Sequence, residues 1–179
     1  MNFSKKNHNL VISAFVFYLI VLFWATVLKC NNASPIQDLK AFLGPMTISE
    51  RFDYATSHFS LKDDSKLVMA LNVLIFIPYG IYIPLLRGRA APITTTILAF
   101  LSTLFIECTQ LILALGYFTY SDLILNTSGA VIGMIIYSVF IKRIKEEHKK
   151  WWLSVLTVLA VSISVFAIIN TALNIEIYL

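Results

Sequence analysis

Apolar residues in this chain run on for stretches far longer than a soluble helix or strand needs, and most polar positions fall between those stretches instead of alternating with them. A helix rises about 1.5 Å per residue, so about 20 apolar residues carry it across the hydrocarbon core of a bilayer. Five runs reach that length: Asn9 to Leu28, Lys66 to Leu86, Pro92 to Leu115, Asp122 to Ile141 and Trp151 to Leu173. The pattern predicts an all-α, polytopic membrane protein, a bundle of five transmembrane helices forming a single membrane domain over residues 1–179. The first run follows Lys5 and Lys6 as a signal peptide would. Its apolar stretch is too long for one, and Lys29 spoils a lipoprotein-type cleavage before Cys30, so it is expected to remain as an uncleaved anchor.

The polar intervals set the orientation, because lysine and arginine are retained on the cytoplasmic side. Lys5 and Lys6 precede the first run, Arg87 and Arg89 follow the second, and Lys142, Arg143, Lys145, Lys149 and Lys150 separate the fourth from the fifth. Those three segments are expected inside. The uncharged link Gly116 to Ser121 and the tail are expected outside, which puts the N-terminus in the cytoplasm and the C-terminus out. Residues 29–65 form an outer segment in which Ser34-Pro-Ile-Gln37 and Thr47-Ile-Ser-Glu50 read as helix-start boxes. Ile36, Leu39, Phe42 and Leu43 then share one face before Gly44-Pro45, so short amphipathic helices are expected on the outer surface.

Composition agrees with the lengths: 58% of residues are hydrophobic and 13% charged, and the mean hydropathy is +0.78. The net charge of +4 sits in the links, where it is a topology signal, and gives no support to nucleic-acid binding. Cys30 and Cys108 suggest no disulfide, and no metal-ligand set or cofactor is implied. The lipid bilayer is the partner that composition establishes.

The informative residues are the polar ones placed inside the runs. Glu107 and Gln110 are three residues apart and share a helix face, with Glu107 about 13 Å below Gly116. On the fourth run Asp122, Asn126, Gly129 and Gly133 keep within an arc of about 60°. Gly129 to Gly133 is also a G-x-x-x-G pattern, which lets helix backbones approach closely. On the second run Asn72, Phe76 and Gly80 form one stripe, and Pro78 is expected to kink the helix. Buried acids in a membrane face a protein interior or a hydrated cavity. Asn72, Glu107, Gln110, Asp122 and Asn126 are therefore the candidate polar pocket, opening outward between the second, third and fourth helices. Phe76, Pro78, Gly80, Gly129 and Gly133 are assigned to packing and the kink. Apart from Lys66 at the very start of the second run, no lysine, arginine or histidine lies within those three runs, so Glu107 is expected to be protonated and to donate to Gln110 or Asn126.

These residues, in NVLIFIPYG, ECTQ and DLILNTSGAVIG, together resemble the VanZ-like family of bacterial integral membrane proteins over a core from about Lys66 to Ile141. The resemblance implies a multi-pass protein of the bacterial cytoplasmic membrane with a cell-envelope role. Through the member for which the family is named, it also implies low-level resistance to teicoplanin, a glycopeptide antibiotic. The family usually has an arginine six residues before Asp122 and often an acid three before it, whereas Gly116 and Thr119 stand here.

Three functions stay open. The polar pocket could engage an envelope component or a lipoglycopeptide, with Tyr117, Phe118 and Tyr120 at the outward link. Glu107 and Asp122 could instead form the acid and base of a membrane enzyme acting on a lipid-linked substrate, although no histidine, serine elbow or anion clamp accompanies them. A small transporter, built by oligomerisation through the glycine face, is the third.

Overall fold

The computed structural model describes residues 5–27, 47, 49–50, 66–113, 118–144 and 148, and, further on, residues 151, 152, 154, 155, 157–159, 161, 162, 165 and 166. Its elements are α1 (Lys5–Val27), α2 (Lys66–Arg87), α3 (Pro92–Leu113), α4 (Tyr120–Val139) and a single 3-10 turn, Ile141–Arg143. No strand occurs among the described residues. Among the described residues four helices are long and apolar enough to cross a membrane: His8–Val27, Lys66–Arg87, Pro92–Gln110 and Tyr120–Arg143. They match the first four runs to within a few residues. Of the fifth run, the described residues between Trp151 and Phe166 are helical. Ser34 to Gln37 and the face from Ile36 to Leu43 lie outside the described residues. The Thr47–Glu50 box is formed: Thr47 donates its backbone N–H (2.7 Å) and its hydroxyl (2.8 Å) to Glu50 Oε2, and the Glu50 N–H returns a bond to Thr47 Oγ1 (3.3 Å). Those donors hold the Glu50 carboxyl below the usual carboxylate range.

The centre of the molecule is α2. Every residue from Pro78 to Leu85 is buried, a run of two turns that only a helix covered on all sides can have. Pro78 lacks the N–H that the Leu74 carbonyl would receive, and its ring crowds that turn. The next carbonyl, that of Ile75, accepts the hydroxyl of Tyr18 from α1 at 2.6 Å. A side chain entering the backbone ladder beside a proline is a recognised way of bending a helix while keeping its polar groups satisfied. Two more phenols extend from α2: Tyr79 shares a hydrogen bond with Ser102 of α3 (2.9 Å) and Tyr82 one with Thr157 (2.5 Å). Around them Phe15, Tyr18, Phe76, Tyr79 and Tyr82 pack as one aromatic cluster, with Phe15 and Tyr82 centroids 5.2 Å apart.

The helix that uses the glycines of α4 is α2. A Cβ on Gly129 would sit 2.2 Å from the Val73 carbonyl oxygen, one on Gly133 2.0 Å from that of Ile77, and one on Gly80 1.8 Å from that of Ala130. Backbone therefore lies directly on backbone. Residues 73 and 77 meet 129 and 133 in rising order, so α2 and α4 are parallel. The glycine face is thus filled from within the chain, which removes it as the joint between copies that a transporter would need. The α2–α3 turn follows from local chemistry: Gly88 takes the left-handed conformation (φ 66°) past the end of α2, and Pro92 opens α3 at the position where no N–H is required.

Candidate functional site

All five polar residues marked by the sequence are buried: Asn72, Glu107, Gln110, Asp122 and Asn126. They gather where α3 passes the start of α4, and two direct contacts define the place. Asn72 Nδ2 of α2 donates to Asp122 Oδ1 in the first turn of α4. Glu107 Oε2 of α3 accepts the backbone N–H of Thr119 at 2.9 Å, and Thr119 is the N-cap residue of α4. Since α3 continues to Leu113, it overhangs the start of α4 by about 9 Å measured along its axis from Glu107. The cluster lies beside this stagger, between α2, α3 and α4.

The arrangement shows two of the donors that meet the acids inside an apolar bundle. The first turn of a helix has N–H groups with no partner in the helix and carries its positive dipole end, worth up to about 2 kcal/mol to a partly buried anionic group. Glu107 takes one of those donors and Asp122 lies in the same turn. The amide of Asn72 supplies a further donor. Thr119, which stands where an acid is common, has its backbone N–H against the Glu107 carboxylate. A carboxylate there would crowd a second one. Gly116 lies outside the described residues.

Glu107 is expected to donate to Gln110 or Asn126; the bond the structure describes is one that its Oε2 accepts from the α4 backbone. Gln110 reaches across to α1, where Nε2 donates to the Thr26 carbonyl at 2.9 Å. The reason is geometric: Thr26 lies near the end of α1, where a helix leaves carbonyls without intrahelical donors. Asn126, one turn below Asp122 on the same face, is 3% exposed and its Oδ1 has no partner.

Sequence reasoning missed Thr26, the Thr119 backbone and Thr103. A backbone donor leaves no residue-type signal. Thr103 lies one turn from Glu107 on the buried stripe of α3, which i, i+4 spacing does reveal. Its hydroxyl is fully buried and unpartnered, as is that of Thr95 two turns further. At Thr26, Thr109 and Ser138 such a hydroxyl bonds the carbonyl four residues back, whereas those of Ser121 and Thr127 are, like Thr95 and Thr103, buried without a partner. Among the described residues no three His, Cys, Asp or Glu side chains group as a metal site, and Cys108 is a free thiol.

Comparison with known proteins gives one match. The model of the VanZ/LLP1 family covers residues 15–142, more than half of the chain. It takes in α1 from Phe15 onward, which the motif-based resemblance had left out, and all five polar residues. No curated protein and no solved structure matches.

Proposed function

The chain belongs to the VanZ/LLP1 family, and from that premise we propose that it acts in the bacterial cell envelope by engaging a surface component or lipoglycopeptide through the polar notch between α2, α3 and α4. In this reading Lys5, Lys6, Arg87, Arg89, Lys142 and Arg143 face the cytoplasm, so the notch opens toward the outer leaflet. The run from Trp151 to Leu173 then supplies a fifth span. Low-level resistance to teicoplanin-type antibiotics is the phenotype the reading expects.

The observation that carries the proposal is Asn126: a nearly fully buried amide whose carbonyl oxygen has no partner, one turn below Asp122. A polar atom left unmet in an apolar interior costs about 1–3 kcal/mol. The other unmet buried polar atoms among the described residues are hydroxyls, at Thr95, Thr103, Ser121 and Thr127, whereas Asn126 is an amide. The unmet group is an acceptor one turn from the Asp122 carboxylate, which favours a ligand that presents hydrogen-bond donors such as amide or ammonium N–H groups.

The test is growth at graded glycopeptide concentration of a sensitive host expressing wild type, Glu107→Gln, Asp122→Asn or Asn126→Leu at matched membrane levels. Protection by the wild type with loss of it in the Glu107 and Asp122 variants is the expected result. Equal protection by all four would return the cluster to a packing role, and a wild type that protects no better than an empty vector would remove the resistance reading.

A further inference from the structure

A second feature lies beside the notch and is not absorbed by it. Between α1 and α3 an open cleft of about 370 Å³ is walled by Leu19, Leu22 and Phe23 on one side and Leu98, Leu101 and Phe105 on the other. Phe23 and Phe105 pack at 6.2 Å between ring centroids, and one turn further the Thr26 carbonyl receives Gln110. Both contacts advance in the same sense, so α1 and α3 run parallel and the cleft follows them. One end is apolar. The other stops against Ile106, beyond which come Glu107, Gln110 and Thr26.

The dimensions choose the occupant. From Leu98 to Ile106 the cleft is about 12 Å long, so a volume of about 370 Å³ averages about 30 Å² in section, roughly 6 Å across. A helix with its side chains is about 10–12 Å wide and cannot enter. A single line of methylenes, touching carbon on both sides at about 4 Å, fills it. Because α1 and α3 are membrane spans by length and hydropathy, the open side of the cleft faces hydrocarbon, and an apolar lining does not retain water.

We propose that the α1–α3 cleft holds one hydrocarbon chain of an amphiphile whose polar head lies at the Glu107 end. The proposal deepens the functional reading by naming the class of ligand, a single-chain or lipid-tailed molecule, and rests on that reading only for the position of the head. The cleft and the notch share α3, so chain and head meet successive turns of one helix.

The experiment uses the full chain in phosphatidylcholine–phosphatidylglycerol vesicles containing a small fraction of a lysolipid with a photoactivatable diazirine on its chain. Adducts are mapped by peptide mass spectrometry after illumination. The expected result is at least fivefold more label on Phe23 and Phe105 than on Ile124 and Ile135, which are 66% and 51% exposed on α4. Leu98→Trp and Leu101→Trp, at positions exposed enough to accept a larger ring, are expected to fill the cleft and bring Phe23 and Phe105 down to that background. An even distribution of label, or an enrichment that both tryptophan variants leave unchanged, overturns the proposal. The readout is independent of growth. Even labelling together with Glu107-dependent resistance removes the cleft alone, whereas enriched labelling with no effect of Glu107→Gln on growth keeps the cleft and removes the notch as the working site.

Discussion

The α2–α4 seam and the α1–α3 face are built from helices of similar length and similar apolar character, yet one closes to backbone contact and the other leaves a cleft. Hydrophobicity cannot be the cause, because lipid tails are as apolar as leucine and give helices no reason to associate on that ground. What differs is where small residues fall. Gly80, Gly129, Ala130 and Gly133 meet on the seam, so dispersion contacts run along two bare backbones. On the other face Leu19, Phe23, Leu101 and Phe105 hold the helices apart. The two faces therefore suit different work: the seam fixes Asn72 against Asp122, and the open face admits something from the bilayer.

The seam is broken most severely by a single methyl group. At Gly133 an added Cβ would lie 2.0 Å from the Ile77 carbonyl oxygen, and at Gly80 1.8 Å from that of Ala130. Both neighbours are backbone, so no side chain can rotate away and a whole helix has to move. Gly80→Ala and Gly133→Ala are each expected to cost about 3 kcal/mol, the upper part of the range for overpacking. Thermal unfolding in detergent micelles, followed by size-exclusion chromatography, measures this. A shift of the midpoint no larger than that of an exposed control such as Ser128→Ala would mean that the seam is looser than described.

Next in size is the polar pair that the seam aligns. Asp122→Ala leaves the Asn72 amide without its acceptor in an apolar interior, an expected loss of about 1–3 kcal/mol. The double change Asn72→Ala with Asp122→Ala should cost less than the two single changes summed. Its coupling energy is expected near 1.5 kcal/mol, toward the top of what interhelical bonds in membrane proteins give. A coupling close to zero would show that the two side chains do not depend on one another.

How much of this was legible in the sequence follows from the kind of interaction involved. Helix length and apolarity are local properties, so the first four spans could be read to within a turn. The five polar residues were legible because each is costly in hydrocarbon wherever it lies, and all five are buried. Their partners were not legible. Glu107 is met by the backbone of Thr119 and Gln110 by the carbonyl of Thr26, and backbone groups are the same at every position. The stagger between α3 and α4 was hidden for the same reason. Glycine spacing announced a close approach at Gly129 and Gly133 without saying whether α2 or α3 would make it.

A milder test lies where α1 meets the proline turn of α2. Tyr18→Phe removes the hydroxyl from the Ile75 carbonyl with almost no change in shape. Were that carbonyl left bare the loss would be about 1–3 kcal/mol, but residues 75 to 79 are continuous helix, in which the Tyr79 N–H faces the same carbonyl. The expected cost is therefore about 0.5–1 kcal/mol. Thermal unfolding in detergent measures it, and a loss as large as that expected for Asp122→Ala would mean that the Ile75 carbonyl depends on the phenol alone.

The smallest effect is expected on the open face, and it bears most directly on the comparison. Leu101 is 52% exposed and borders the cleft, so truncating it removes contacts that lipid can replace. Leu101→Ala should shift stability by less than about 0.5 kcal/mol, the scale of substitutions away from packed features, while widening the cleft. A methyl added on the seam thus costs several times more than three carbons removed from the face. If Leu101→Ala instead destabilised the protein as strongly as Gly133→Ala, the α1–α3 face would be a packed interface like the seam, and its cleft could not serve as a place that exchanges its contents with the membrane.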